Sequence, residues 1–389
     1  MKSPRLSVLG PSVVLALGAL SVGCDEQPKS APAASASAAE APPVDAKLDS
    51  ALKAVEQAGD SQAKKPAAGS QPPPSGIFAP GEADLAHRRD AAPKVELLDA
   101  GSEPRLALGA SARPEKEKTQ LLVSLSTGGQ QALPPLEITL ETTKLEAPKP
   151  DAAAKGAEAK AAEPAPAGEA RWVTKLSELK IAGDAAVPKQ MADTLAKMKG
   201  SSLSFTLSPT GPIAFERKLA KDADPALEIA LRSIEDTLTS LYVPTPSEAV
   251  GEGGYWMVTD RRTALGVDVV RYRVFRVVKV EGDVALLGLD IRQYAADDRV
   301  DLPLGPQLAG ASLDTYGCAA KGAVDLAPKT LFPSAAQLAL RIQAGVAPPG
   351  AKAAPAEQRP RAQMLIELVG QLGGEPKSAA MVMAAQGGP

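Results

Sequence analysis

A long segment of β-branched residues constrains the fold of this chain more than any other feature. It has two arms, Val267–Val280 and Val284–Tyr294, and a turn at Gly282 joins them. We expect a β-hairpin here. Along the first arm, apolar side chains alternate with polar ones such as Arg271 and Arg273, which predicts one packed face and one largely wet face. Such alternation is typical of an antiparallel sheet covered on one side, and it argues against a parallel α/β fold.

Four further segments extend this sheet. Leu121–Leu125, Leu136–Leu140, Val173–Ile181 and Gln337–Gln343 each alternate apolar and polar residues, so each is predicted as a strand. Met364–Leu372 fits a strand or a helix.

Two helices are predicted between the strands. The clearer one spans Asp224 to Tyr242, with Asp224 suited to cap its start and Pro225 to its first position. Its apolar stripe comprises Leu227, Leu231, Ile234, Leu238 and Leu241. The other runs from Val187 to Lys199 and stops at Gly200. The predicted fold class is therefore α+β, a curved and mostly antiparallel β-sheet packed on one face by one or two helices.

Low-complexity stretches set the expected domain boundaries. Segments rich in Ala, Pro, Ser and Lys cannot bury enough apolar area to offset the entropy lost on ordering. We expect a signal peptide at 1–23, a lipidated cysteine and disordered tether at 24–76, one sheet-plus-helix domain at 77–372, and a frayed tail at 373–389. Disordered insertions are expected at 146–170 and 344–360.

The first residues have the pattern of a secretory signal. An apolar run, Leu6–Gly23, follows Lys2 and Arg5 and ends in a small residue before Cys24. The string Leu20–Cys24 resembles a bacterial lipobox, and this resemblance implies cleavage before Cys24, a thioether-linked diacylglycerol on its sulfur and N-acylation. The alternative is an ordinary secretory signal cut nearby, with Cys24 incidental. No other apolar stretch reaches the ~20 residues that a membrane-spanning helix needs.

Another resemblance lies between the long helix and the hairpin. Val243-Pro244-Thr245-Pro246, Val250-Gly251 and Tyr255-Trp256 resemble a sequence in a group of exported bacterial lipoproteins of unknown function, over roughly Lys94 to Leu372. The order of elements is more distantly similar to half-barrel lipoprotein carriers, which implies an apolar ligand without identifying its binding residues. Trp256 is expected in the core, with cavity lining as the alternative.

Several chemistries lack the residues they need. A hydrolase triad requires an imidazole, and the chain has 1 histidine, His87, expected in a solvated charged turn. Cys318 has no histidine to activate it and is expected in the core. Asp297, Asp298 and Asp301 lack the spacing of an EF-hand, so a solvated turn is expected. We therefore predict no catalytic residue, no metal site and no cofactor.

The resulting functional expectation is a lipid-anchored protein of the bacterial cell envelope, facing the periplasm or cell surface, with a non-catalytic binding or scaffold role. The alternatives are a carrier of an apolar ligand or lipid and, from a different class, a hydrolase that uses carboxylates. Expected partners are the membrane through the anchor, and an apolar ligand or an envelope protein. With 43 basic and 46 acidic residues and a net charge of -3, no basic field exists to attract nucleic acid.

Overall fold

A computed structural model of the chain describes residues 73, 75–109, 113–128, 130–146, 170–183, 189–224, 227–301, 310–349 and 361–386. Several predictions lie outside these residues: the signal peptide at 1–23, the lipidated Cys24, nearly all of the tether, and most of the insertions at 146–170 and 344–360.

Strands dominate the described part of the chain. They are β1 (Lys94–Asp99), β2 (Lys116–Thr127), β3 (Gln130–Lys144), β4 (Ala170–Ile181), β5 (Ser202–Ser208), β6 (Gly211–Lys218), β7 (Tyr255–Ala264), β8 (Val267–Glu281), β9 (Val284–Ala295), β10 (Ser312–Leu326), β11 (Ala335–Ala347) and β12 (Ala362–Leu372). Every strand segment predicted from alternation falls inside one of them, and Met364–Leu372 is part of a strand, β12. The second predicted insertion begins too early, since residues 344–347 belong to β11.

These strands form one sheet in the order β1-β7-β8-β9-β10-β11-β12-β2-β3-β4-β5-β6. All neighbouring strands pair antiparallel, as predicted. The turn between β8 and β9 lies at Gly282, whose φ of 63° is readily adopted by glycine. The sheet is not closed, because β1 and β6 form its two edges. The edges nevertheless approach: a Cβ on Gly211 in β6 would lie 3.3 Å from Pro93 Cγ, next to β1.

The described residues also form helices α1 (Glu82–Ala86), α2 (Lys189–Ala196), α3 (Glu228–Leu241) and α4 (Lys377–Gln386). The turn after α2 ends at Gly200 with a φ of 88°, as expected for a residue that ends a helix. The five apolar side chains of the predicted α3 stripe are all buried. The predicted N-cap is wrong, however, because α3 starts at Glu228 and its N-cap is Leu227. Asp224 accepts a hydrogen bond from Leu227 N at 2.9 Å through its backbone carbonyl.

The two faces of β8 are the reverse of the prediction. Arg271 and Arg273 were expected on the wet face, yet their exposed fractions are 2% and 1%. They share their face with Phe275, which is fully buried, whereas Tyr272 on the alternate face is half-buried. A period of two fixes which residues share a face but not which face is covered. The arginines therefore lie on the more deeply buried face of β8, although Val270 on the alternate face is buried as well.

The C-terminal segment at 373–389, predicted as a frayed tail, contains α4, which contacts β8, β9 and β10. The start of α4 is capped by Asp325 from β10: its carboxylate accepts from Lys377 N at 2.6 Å and from Ser378 N at 3.0 Å. A carboxylate at a helix N-terminus satisfies free N–H groups and complements the helix dipole. The prediction missed α4 because its cap comes from a residue about 50 positions earlier in the chain.

Candidate functional site: a polar cleft beside a buried helix

Helix α3 is buried on its polar side as well as along its apolar stripe. Its buried residues include Glu235, Asp236, Thr239 and Ser240, and the helix contacts β2, β6, β11 and β12. A helix of this composition normally turns its polar residues to water. Because buried polar groups must find partners, the surrounding strands have to supply them.

Asp260 on β7 and two arginines on β8 supply buried charges beside α3. Asp260 faces Arg271 across the strand pair, and its Oδ1 and Oδ2 accept from Arg271 Nε at 2.9 Å and Nη2 at 2.8 Å. Oδ2 also accepts from Arg273 Nη2 at 2.8 Å. Burial alone would raise the pKa of Asp260, but the two guanidinium charges outweigh burial and hold that pKa well below its ordinary value. Asp260 is thus a permanent carboxylate.

The same arginines hold the C-terminal end of α3. Arg273 Nη1 donates to the carbonyl oxygens of Thr239 at 3.1 Å and Tyr242 at 2.7 Å. Arg271 Nη1 donates to Ser240 Oγ at 3.0 Å. Carbonyls in the last helical turn lack partners within the helix, and cations are favourable there. The buried arginines therefore attach α3 to the sheet.

A second charged group connects α3 to β6 and β7. Glu235 on α3 accepts from Arg262 Nη2 at 3.0 Å and from Arg217 Nη1 at 2.6 Å. Its neighbour Asp236 accepts from Leu265 N at 2.7 Å and lies 3.4 Å from Arg262 Nη2. Burial is the main cause that raises the pKa of Asp236 to about 6, against the lowering effect of Arg262. Through α3, the edge strand β6 is thus bound to β7 near the opposite edge.

The outer arginines of this region are each paired with two carboxylates. Arg217 Nε lies 2.9 Å from Glu228 Oε1, in addition to its bond with Glu235. Arg261 Nη2 lies 3.1 Å from Asp268 Oδ2, and Arg261 Nη1 lies 2.5 Å from Asp84 Oδ1. Charge at the outer rim is therefore compensated by nearby acids.

A cleft of about 290 Å³ opens between the two edges of the sheet and reaches these groups. Its walls are residues 89–93 before β1, residues 212–217 of β6, residues 260–263 of β7, and Glu235 and Thr239 of α3. Arg271 and Arg273 also line it. The cleft is thus an entrance, at the unpaired seam of the sheet, to the charged groups around α3.

Two arginines at this cleft have donors with no acceptor. Nε of Arg262 and Nε of Arg273 are buried and make no hydrogen bond with any residue that the structure describes. Nε1 of Trp172 is also buried without a hydrogen-bond partner among the described residues, but Trp172 does not line the cleft. All three atoms are N–H donors, so what these buried sites lack is an acceptor.

The structure places two of the residues singled out in the sequence in the core. Trp256 is fully buried, as predicted; its Nε1 donates to the Pro244 carbonyl at 2.8 Å, and its ring stacks on Phe275 with centroids 5.5 Å apart. Cys318 is also buried, as predicted, and burial raises the pKa of its thiol. The Val250-Gly251 motif is structural, since a Cβ on Gly251 would lie 1.7 Å from the Ser102 carbonyl oxygen.

The remaining polar candidates lie outside the cleft. His87 is not in a solvated turn, because it is 8% exposed and its Nε2 lies 3.4 Å from the Ala91 carbonyl oxygen. Asp297 pairs with Arg299, and Asp301 lies 3.4 Å from Arg232. The backbone carbonyl of Asp298 accepts from Leu313 N at 2.8 Å. Within the described ranges, no group of three or more His, Cys, Asp or Glu side chains is arranged to hold a metal ion.

The sequence analysis missed the charged groups of the cleft. A usable signal was present: Asp260 and Arg262 on one strand, Arg271 and Arg273 on the next, and the acidic pair Glu235–Asp236 on the helix before them are complementary in charge. Arginines in a valine-rich strand beside a helix with buried acids are expected to pair with them, since buried charges require partners.

Of the helices that the structure describes, none is long and apolar enough to cross a membrane. Neither models of known protein families nor curated protein sequences match this chain.

Proposed function

We propose that this chain is an exported bacterial protein, lipidated on Cys24, whose sheet domain is a non-catalytic binding module held at a membrane of the cell envelope. The proposal for the anchor rests on the basic start, apolar run and cysteine of residues 1–24. One acyl chain binds a membrane only reversibly, whereas two or three anchor a protein stably. The continuous described chain begins at Ser75, about 50 residues after Cys24, which leaves a long spacer for standing off the bilayer.

We further propose that α3 lies across the concave face of a curved sheet and fills it. In support, side chains all around α3 are buried, and the backbones come close: a Cβ on Gly370 of β12 would lie 2.2 Å from Thr237 Cγ2. One cavity with apolar walls beside α3 holds only about 10 Å³, which is the volume of a single water probe. This packing favours a binding module over a carrier with a large apolar cavity.

The observation that carries the binding role is the polar cleft between the sheet edges. It is open to solvent, it has a volume of about 290 Å³, and it leads to buried guanidinium groups. Its two buried carboxylates, Glu235 and Asp260, are each bound by two arginines. For Asp260, this pairing holds the pKa well below its ordinary value and makes the group a poor proton donor, so the cleft suits recognition better than acid catalysis.

Lipid labelling of the two cysteines tests the anchor. Cells that produce the full chain are grown with labelled palmitate, and the protein is then partitioned between detergent and water. We expect wild type and Cys318→Ala to carry the label and enter the detergent phase, and Cys24→Ser to lose both properties. Cys318→Ala is the matched control because it removes the only other thiol.

A Cys24→Ser protein that keeps the label and still enters detergent would contradict the anchor. Organic extraction of the same Cys24→Ser protein, followed by mass spectrometry, tests the carrier alternative. Bound lipid recovered in stoichiometric amount would favour a carrier over the binding module proposed here.

A further inference from the structure

The polar cleft has an unmet requirement for hydrogen-bond acceptors. Nε of Arg262 and Nε of Arg273 are buried without a partner among the described residues, although both side chains line the cleft. A buried donor without an acceptor is costly, and more so when it is charged. An acceptor that enters the cleft would therefore be stabilised by both groups.

Around Asp260, arginines outnumber carboxylates. At the rim, Arg217 and Arg261 each contact two carboxylates. In contrast, Arg271 and Arg273 share the single carboxylate of Asp260. Two guanidinium groups thus share one carboxylate here, where the dielectric is low and attraction to an anion is strong. Arg262, the third buried arginine of the cleft, contacts the carboxylates of Glu235 and Asp236, so the attraction comes from the pair Arg271 and Arg273.

The size of the cleft limits the ligand. Its volume of about 290 Å³ is at the lower end of the range for small-molecule sites, roughly 300–1,000 Å³. Guanidinium groups bind carboxylate and phosphate oxygens through parallel N–H donors. Since both Nε atoms are shielded from solvent, the arginines must rotate at their outer torsions to reach a ligand.

We propose that the cleft binds a small organic anion, whose carboxylate or phosphate oxygens accept hydrogen bonds from Arg262 and Arg273. This inference rests on the binding role proposed above and gives it a ligand class and a site. Before a ligand enters, Glu235 and Asp260 act as positioning residues: they bind Nη2 of Arg262 and of Arg273, respectively.

Two ligand panels separate the two sources of the anion. Full-length protein in detergent is titrated with carboxylates (succinate and glutamate) and with phosphates (inorganic phosphate and glycerol 3-phosphate) at constant ionic strength, with chloride as reference. Thermal unfolding and isothermal calorimetry report binding. We expect one panel to raise the melting temperature and to bind with a Kd below about 1 mM, while chloride has no effect.

Matched lysine variants locate the site. Arg262→Lys and Arg273→Lys keep the charge but remove Nε, so each should weaken binding at least tenfold. Arg276→Lys makes the same change on β8 at an exposed position, and it should leave the affinity unchanged. If Arg273→Lys does not fold, Arg262→Lys, at the more accessible position, decides the result.

The proposal is overturned if neither panel binds the wild-type protein at concentrations up to about 10 mM. It is also overturned if Arg262→Lys binds as tightly as wild type. Neither of these binding results changes whether Cys24 carries the palmitate label. The ligand titrations therefore test the anion site separately from the lipid anchor.

Discussion

Asp260→Asn is the sharpest test of the charged interior. The change removes the one carboxylate that Arg271 and Arg273 share, and with it three charge-assisted hydrogen bonds of 2.8 to 2.9 Å. Breaking a buried ion pair by removing one partner costs about 3–5 kcal/mol, because the other charge stays buried and uncompensated. Asparagine keeps one acceptor oxygen, so we expect a loss of about 3 kcal/mol in the free energy of unfolding.

The assay is equilibrium unfolding in urea, with the midpoints compared at equal m-value. Asp297→Asn is the matched control, since Asp297 pairs with Arg299, whose side chain is 82% exposed; this change should cost less than about 1 kcal/mol. The reasoning fails if Asp260→Asn and Asp297→Asn destabilise the protein equally.

Two further changes test the packing and charge of α3. Gly370→Ala places a Cβ 2.2 Å from Thr237 Cγ2 and should lower the free energy of unfolding by about 1–3 kcal/mol. The control is Gly109→Ala, whose Cβ would have no atom within 4 Å and which should be nearly neutral in the same urea assay. The pKa of Asp236 is raised from 3.8 to about 6 in the folded protein. Between these pH values the folded state binds more protons than the unfolded state, so the free energy of unfolding should fall as the pH rises from about 4 to 6. Asp236→Asn should remove this fall from the pH profile of the urea midpoint, and a profile identical to wild type would contradict the assignment.

Local patterns were enough to predict the strands but not their covered faces. The alternation and the turn at Gly282 are local properties, and the β8–β9 hairpin turns at Gly282 as predicted. Both faces of β8 carry valines, however, so the pattern alone gave no basis for choosing one. The choice depends on Asp260 and on the carbonyls of α3, which are distant in sequence from Arg273 and accept its hydrogen bonds.

Strands of unfavourable composition escaped prediction. Most of β10 consists of alanine, glycine and polar residues, and β6 contains Pro212. Such segments have weak intrinsic strand preference, and their conformation comes from pairing with neighbours. In β10 those neighbours are β9 and β11, which pair with it along most of its length.

The candidate site was missed for a related reason. The apolar stripe of α3 is visible in the sequence, but burial of Glu235 and Asp236 is not, because an isolated helix would turn them to water. Their burial requires Arg217 from β6 and Arg262 from β7, and the order of strands in the sheet decides whether these residues meet.

The position of β12 in the sheet bears on when this protein can fold. β12 comes last in sequence among the described strands, yet it pairs with β11 on one side and with β2 on the other. The strands from β2 to β6 therefore join the rest of the sheet only through residues 362–372. The two parts of the sheet cannot pair with each other until residues 362–372 have been synthesised. Pairings between segments so distant in sequence are slow to form, so we expect the complete sheet to assemble late in folding.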